Sequence, residues 1–335
     1  MHTRKAARPR GAVIALDLGA TKLASAFFAG SVRPRAKRVV ALKGRTGRAV
    51  GALVCREARR LRRAAAAEGL RTEAVGAAVP GIAHADSGRV WAPNIPGWDD
   101  YPLRRELEAA AGGPGVPVVV DSDRAACILG EAWRGAARGC RHAVFLAVGT
   151  GIGAGILADG QVVRGAHGSA GAAGWLALSR PFQTEYGTCG DFEYHASGAG
   201  LARAAARLLA QTAGYDGPLK RRRALSAQDV FAAYEAGDVL AARVVRNAIE
   251  YWGAACANLV SLLNPEKIVI GGGVFGPAAR FLDAIAAEAR RWGQPKAMQQ
   301  VAFEVSRLGS DAALYGAAVL AREARQGPRK VPLRR

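Results

Sequence analysis

Two glycine-punctuated turns follow short apolar runs and have the composition of phosphate-binding loops. The first, Asp17-Leu-Gly-Ala-Thr-Lys22, follows the apolar run 12–16, and the second, Val148-Gly-Thr-Gly-Ile-Gly-Ala-Gly155, follows the run 143–147. Because glycine has no side chain, backbone N–H groups in such turns can approach an anion closely. Two turns of this kind in one chain predict two domains that face each other across a polyphosphate.

Neither turn matches a more widespread nucleotide motif. The P-loop pattern G-x-x-x-x-G-K-[ST] is absent from both. The second turn is followed by a predicted hairpin with Asp159-Gly160 at its tip, whereas a dinucleotide fingerprint needs a helix there. Either turn alone is compatible with an ordinary glycine hairpin, so the phosphate interpretation depends on the pair and on the motifs that follow.

Length and composition indicate two globular domains. The chain has 335 residues, half of them hydrophobic, and no apolar run of the ~18 residues that a membrane span requires. The formal net charge is +20, but the arginines are dispersed along predicted helices, as in 56–63. This distribution favours solvated helix faces over a nucleic-acid patch. Five widely spaced cysteines without a C-x-x-C pair predict reduced thiols in the cytoplasm.

Strands alternate with helices along the chain, which predicts α/β layers. Ser226 and Asp229 have the spacing of a capping box at the start of a helix. A long amphipathic helix is predicted over 239–263, a buried strand over 267–270, and a final helix over 311–325. The basic ends, 1–10 and 326–335, are interpreted as solvated, flexible tails.

Taken in order, the motifs resemble the ROK family (repressors, open reading frames, kinases) of sugar kinases over about residues 11–325. The resemblance rests on seven segments: DLGATK (17–22), VPG (79–81), NIPGW (94–98), SDRAACILGE (122–131), VGTGIGAGI (148–156), FEYHASG (192–198) and IVIGGG (268–273). It implies the actin-like ATPase (ribonuclease-H-like) fold, with two α/β domains around a nucleotide cleft. The domains are expected at 11–121, joined by the helix 311–325, and at 122–310.

The resemblance implies ATP-dependent phosphorylation of a hexose or amino-sugar hydroxyl, with Asp123 as the catalytic base. Asp123 could alternatively be a helix N-cap. Asp17 would hold Mg²⁺, and Glu193 would line the sugar pocket. The other implied contacts fall into three groups: Gly19, Thr21, Lys22, Thr150 and Gly151 for the phosphates; Gly271, Gly272 and Gly273 for the nucleoside; Gly81, Asn94, Ser122 and Asp123 for the sugar.

The chain departs from the family pattern at the sugar and zinc motifs. The family's Asn-Asp-Ala-Asn reads Ser122-Asp-Arg-Ala125, and its Gly-Glu-x-Gly-His reads Gly171-Ala-Ala-Gly-Trp175. In the zinc loop, Thr184, Tyr186 and Asp191 stand at the three cysteine positions. An altered sugar pocket and no zinc site are therefore expected. Cys189, Asp191, His195 and His167 match no standard zinc spacing and are interpreted as a loop cysteine and surface histidines.

Three other interpretations remain beside an ATP-dependent kinase. The altered motifs allow a catalytically weak protein that binds sugar or nucleotide as a regulator. Polyphosphate could replace ATP as the donor, given the basic composition. A nicotinamide enzyme is disfavoured, because Gly271–Gly276 fits G-x-G-x-x-G but lacks the acidic residue expected about 20 positions later.

No helix-turn-helix pattern precedes Asp17, so a DNA-binding repressor is not expected. The family resemblance allows a homodimer.

Overall fold

The structure is a computed structural model that describes residues 11–30, 33–221 and 224–326. The strands are β1 (Gly11–Leu18), β2 (Lys22–Phe28), β3 (Arg35–Ala41), β4 (Arg71–Val79), β5 (Ile82–Ala83), β6 (Val90–Trp91), β7 (Val118–Ser122), β8 (Ala143–Val148), β9 (Ile152–Ala158), β10 (Gln161–Val162), β11 (Lys267–Gly271) and β12 (Ala302–Val305). The α-helices are α1 (Gly47–Ala67), α2 (Leu103–Ala111), α3 (Asp123–Arg134), α4 (Asp191–Ala196), α5 (Gly198–Gln211), α6 (Ala227–Glu235), α7 (Val239–Leu263), α8 (Leu282–Trp292), α9 (Pro295–Gln300) and α10 (Ala312–Gln326). The predicted tails 1–10 and, beyond Gln326, 327–335 lie outside the described residues.

The chain divides into two compact units with the same sheet topology. One unit contains the described residues up to Arg134, the short segment Arg164–Ser169 and the chain from Asp311 onward; the other contains Gly135–Val163 and Ala170–Ser310. The strand order is β3-β2-β1-β4-β7 in the first sheet and β10-β9-β8-β11-β12 in the second. In each, an antiparallel hairpin is extended by parallel strands. The α/β prediction is confirmed.

The glycine turns connect the first two strands of each sheet. Asp17 is near the end of β1, and the turn after it leads directly into β2. The corresponding turn joins β8 to β9. Both β1 and β8 are almost wholly buried, as expected for strands in the middle of a covered sheet. Each turn thus follows a buried central strand of its sheet.

Helix α3 belongs to the first unit, whereas the sequence placed the boundary at residue 121. The reason is its close packing on α10. A Cβ added to Gly316 would lie 1.7 Å from the carbonyl oxygen of Ala126, and one added to Gly130 would lie 2.1 Å from that of Ala312. Only glycine permits two helix backbones to approach so closely. The contact ties Asp123, at the start of α3, to the first sheet.

The local signals near residues 159 and 226 are confirmed. Asp159 and Gly160 both have positive φ, 51° and 73°, as a two-residue hairpin turn of the I′ class requires. Ser226 and Asp229 form a reciprocal capping box at the start of α6.

All five cysteines are free thiols. Within the described residues, no helix combines the length and apolar character needed to cross a membrane.

Candidate active site

Asp17 lies at the carboxyl edge of the first sheet. It pairs in register with Ala78 of β4, which in turn pairs with Asp121 of β7. Parallel strands end at the same edge, so the residues that follow β4 and β7 also lie there. Burial is the main factor that raises the pKa of Asp17 to about 7; Asp123 and Asp311 add to the rise, and Lys22 opposes it.

Ser122, not Asp123, caps helix α3. The Ser122 hydroxyl accepts a hydrogen bond from the backbone N–H of Ala125 at 3.2 Å, the usual geometry of an N-cap. The Asp123 carboxylate accepts the adjacent N–H of Arg124 at 2.8 Å. Burial raises the pKa of Asp123, and Arg124 and backbone N–H groups oppose that rise. Asp123 is therefore available as a proton acceptor.

Arg124 was not among the predicted site residues. Its Nη2 donates to the carbonyl oxygen of Gly81 at 3.1 Å, which joins the turn after β4 to the start of α3. Its Nε is buried without a hydrogen-bond partner among the described residues. In the sequence, Arg124 was marked only by its departure from the family pattern, which has Ala at this position. The side chain thus contacts Gly81, and its positive charge lowers the pKa of Asp123 against the effect of burial.

Asn94 is presented by a turn that a buried tryptophan anchors. Trp98 is 1% exposed, donates from Nε1 to the carbonyl oxygen of Gly47 at 3.0 Å and stacks on Tyr101 with ring centroids 4.4 Å apart. The amide of Ala92 donates to the carbonyl oxygen of Trp98 at 2.8 Å and closes the turn. Asn94 itself is exposed. Its side chain is thus accessible to a ligand.

The first glycine turn exposes the side chains of Thr21 and Lys22. The N–H of Gly19 donates to the carbonyl oxygen of Lys22 at 2.9 Å, so this amide already has a partner within the turn. The exposed hydroxyl and ammonium groups remain as donors to an anion. Lys22 also favours the ionised form of Asp17.

The Asp17 carboxylate fits a Mg²⁺ ion that brings ligands of its own. Within the described part of the chain, no three His, Cys, Asp or Glu side chains are grouped to hold a metal. Mg²⁺ usually keeps water and binds through one or two carboxylates plus substrate phosphates. The unfavourable burial of negative charge at Asp17, beside Asp123, is the environment that a cation would relieve.

The second glycine turn, in the other unit, is braced by the start of α5. Gly149 N–H donates to the carbonyl oxygen of Gly151 at 2.9 Å, and Gly198 N–H donates to that of Gly149 at 2.8 Å. Thr150 at the tip is exposed. The turn therefore has a fixed backbone and an accessible hydroxyl, as the predicted phosphate contact requires.

A cavity of about 350 Å³ lies beside this turn, within the second unit. Gly149, Thr150 and Gly273 line it, together with residues from α5 and α6 that the sequence analysis missed. These additional residues include Ala202, Gln228 and Phe231. The capping box at Ser226 marked the start of α6, but no local pattern indicated that α6 borders the turn.

Gly271 and Gly272 have a packing role that the sequence analysis did not identify. A Cβ on Gly271 would lie 2.7 Å from the ring of Phe145, and one on Gly272 would lie 2.4 Å from the carbonyl oxygen of Val148. Gly272 also has φ of +98°, which favours glycine. Of the three glycines, Gly273 lines the cavity.

Glu193 is attached to the start of β9. Its Oε2 accepts the backbone N–H of Ile152 at 2.6 Å, and its side chain packs against Gly151 and Gly174. Burial raises its pKa; the Ile152 N–H and Arg203 oppose that rise. The predicted sugar contact thus lies next to the second glycine turn.

Ala172 and Trp175 stand where the family pattern has Glu and His. Ala172 is exposed and carries no polar group, and Trp175 is 58% exposed. At the zinc positions, Thr184, Tyr186 and Asp191 offer one carboxylate and no thiolate, so these residues do not fit a structural zinc ion. The interpretation of His195 as a surface histidine is wrong, because its side chain is 17% exposed.

Comparison with known proteins identifies the family of the chain. The ROK family model matches residues 13–324. The glucokinase of Halalkalibacterium halodurans is 35% identical over 74% of this chain and 76% of its own length. The bifunctional enzyme NanE/NanK of Brucella melitensis is 34% identical over 94% of this chain, which spans about half, 55%, of that protein.

A solved relative extends the agreement to three dimensions. The ROK family glucokinase of Streptomyces griseus, in complex with glucose and AMPPNP, is 31% identical. It superposes with a TM-score of 0.74, and the match covers 93% of this chain and 100% of that one. The range 13–324 that the family model matches spans both glycine turns, Asp17 and Asp123. The chain belongs to the ROK family and has its actin-like ATPase fold.

Proposed function

We propose that this protein transfers the γ-phosphoryl group of ATP to a hydroxyl of a hexose or amino sugar, with Asp123 as the general base. The observation that carries the proposal is the state of Asp123. Its carboxylate is near Asp17 at the carboxyl edge of the first sheet, and Ser122 has taken over the capping of α3. A carboxylate in this position is free to accept a proton.

The assignment to the sugar kinases rests on sequence identity to known relatives. The chain is a sugar kinase: it is 31–35% identical to glucokinases over most of its length. The S. griseus structure contains both glucose and AMPPNP, an analogue of ATP, which supports a sugar acceptor and a nucleotide donor here.

Phosphoryl transfer to a hydroxyl requires one proton transfer and stabilisation of the negative charge on the phosphoryl group. Asp123 would take the proton of the attacking hydroxyl, and its raised pKa brings it closer to the working pH of a base. Arg124 would keep the carboxylate available, because its positive charge favours the ionised form. Asp17 is the residue that would hold Mg²⁺, which supplies charge neutralisation when bound.

Each glycine turn presents candidate donors for the phosphates of the nucleotide. Thr21, Lys22 and Thr150 present exposed hydroxyl and ammonium groups for phosphate oxygens. The cavity beside Gly273 has space for a nucleoside, with the apolar Ala202 and Phe231 and the polar Gln228 in its wall. Gly81, Asn94 and Glu193 are retained as proposed sugar contacts.

We further propose that the sugar pocket is altered. Ala172 cannot replace the carboxylate, and Trp175 cannot replace the imidazole, that the family uses to bind sugar hydroxyls. The same change favours a second candidate, a weak enzyme that serves as a sugar- or nucleotide-binding regulator. Retention of Asp17 and Asp123 favours catalysis, because a binding protein needs neither a base nor a catalytic metal.

A coupled ADP-release assay over a panel of hexoses, deoxyhexoses and amino sugars tests the proposal. ATP and polyphosphate should be compared as donors, with product formation followed directly for polyphosphate. Sugar-dependent turnover with ATP is expected. Saturable sugar binding by calorimetry without turnover on any sugar, with either donor, would favour the regulator.

A further inference from the structure

The chain from Leu176 to Gly190 is fastened to helix α4 through the carboxylate of Asp191. Its Oδ2 accepts the backbone N–H groups of Leu178 at 2.6 Å and Ser179 at 2.7 Å. Its Oδ1 accepts the Ser179 hydroxyl at 2.7 Å. The carboxylate is 5% exposed, and hydrogen bonds to a buried ionised acceptor are among the stronger ones in proteins.

His195, one helical turn after Asp191, makes a second attachment. Its Nε2 is 3.4 Å from Asp191 Oδ1 and 2.9 Å from the hydroxyl of Tyr186. Its ring stacks on Tyr251 of α7, with centroids 4.6 Å apart and planes 11° from parallel. Helix α4 is thereby joined to the turn Thr184–Thr188 on one side and to α7 on the other.

Two members of this group occupy positions where the family has zinc-binding cysteines. They are Tyr186 and Asp191, and both are joined to His195, which is not at a zinc position. Tyr186 is 4% exposed and Phe192 fully buried, whereas Phe182 is 76% exposed. Leu176 and Leu178 pack against the core of the unit, and the hydrogen bonds of Asp191 additionally hold the backbone at Leu178 and Ser179.

We infer that Ser179, Tyr186, Asp191 and His195, here called the Asp191 cluster, replace a metal ion as the crosslink between the segment 176–190 and helix α4. The cluster also positions Glu193, which lies between Asp191 and His195 and contacts Ile152 N–H at 2.6 Å. Asp191 and His195 are positioning residues. The part of the inference that concerns Glu193 rests on the proposed function; the crosslink does not.

Asp191→Ala removes all three acceptor contacts and tests the crosslink directly. Chymotrypsin should then cut after the exposed Phe182 at least about tenfold faster than in the wild type, since local opening becomes easier. Asp191→Asn keeps one oxygen for the two amides and should be intermediate, and it serves if the alanine variant does not fold. Glu185→Ala, an exposed carboxylate of the same segment, is the matched control and should cleave at the wild-type rate.

A metal test and a kinetic test complete the experiment. The wild type should contain no stoichiometric zinc, and a chelator should leave its melting temperature unchanged. Asp191→Asn should raise the KM for the sugar and leave the KM for ATP unchanged, because the nucleotide cavity does not include the cluster. Wild-type cleavage rates in both Asp191 variants, or chelator-induced unfolding, would overturn the crosslink. A wild type that phosphorylates no sugar would overturn the proposed function, while cleavage and chelation would still decide on the crosslink.

Discussion

Asp17 and Asp123 stand at the ends of two parallel strands that only β4 separates. Asp17 pairs with Ala78, Ala78 pairs with Asp121, and Asp123 follows two residues later as the first residue of α3. The proximity of Asp123 contributes to raising the pKa of Asp17 to about 7, after the larger effect of burial. We therefore propose that Asp17 binds the cation and that Asp123 accepts the proton of the hydroxyl.

Asp123→Asn should reduce turnover on the best sugar by about 10²–10⁴-fold, the usual loss when a general base is removed. Nucleotide affinity should stay near the wild-type value, because Asp123 is not proposed to contact the donor. Steady-state kinetics and nucleotide titration calorimetry measure the two effects. Asp216→Asn, at a side chain that is 90% exposed, is the control. Near wild-type turnover in the Asp123 variant would refute its role as the base.

Ala202→Phe should fill part of the cavity beside the second glycine turn and raise the nucleotide dissociation constant at least about tenfold, or 1.4 kcal/mol. Sugar affinity should be unaffected. The matched control is Ala206→Phe, which lies one turn later on α5 at an exposed position outside the cavity. Equal nucleotide binding by both variants would show that the nucleoside does not occupy this cavity.

Wild-type protein should bind glucose weakly, because Ala172 and Trp175 supply no clamp for its hydroxyls. The double variant Ala172→Glu, Trp175→His should lower the KM for glucose by about tenfold or more, since one regained hydrogen bond is worth ~1–3 kcal/mol. Ala177→Glu, at a nearby exposed alanine, should not do so. A wild-type KM for glucose in the low micromolar range that Trp175→Ala leaves unchanged would contradict the altered pocket.

A fall in pH should lower the stability of the folded protein by protonating His195. Burial is the main factor that lowers the pKa of His195; Arg207 and Arg203 also lower it, and Asp191 opposes them. The unfolded chain then binds more protons than the folded chain, so the stabilising effect is complete above the ordinary histidine pKa and is lost as pH falls below it. Melting temperatures at about pH 7.5 and 5.5 should differ more for the wild type than for His195→Gln.

The matched control for this pH effect is His84→Gln, which changes an exposed histidine of the other unit. It should retain the wild-type drop in melting temperature. A His195→Gln variant with the same acid sensitivity as the wild type would contradict the assignment of that sensitivity to His195. Burial raises the pKa of Tyr251, whose ring stacks on His195, so its hydroxyl stays neutral over this range.

Features that depend on local chemistry could be predicted from residue type and spacing. Glycine and threonine after apolar runs predicted both turns, because tight backbone turns restrict residue type. Asp159-Gly160 predicted a hairpin tip, and Ser226 with Asp229 predicted a helix start, since each signal lies within a few adjacent residues. The order of such motifs sufficed to identify the family and to select Asp123.

Contacts between residues that are distant in the chain could not be predicted in this way. Arg124 meets the carbonyl of Gly81 across 43 positions, and α6 contributes Gln228 to the cavity beside Gly273. The assignment of α3 to the first unit depends on the glycine contact with α10. The Asp191 cluster was hidden for the same reason: residue type and spacing report local conformation, whereas hydrogen-bond partners are set by how the folded backbone brings side chains together.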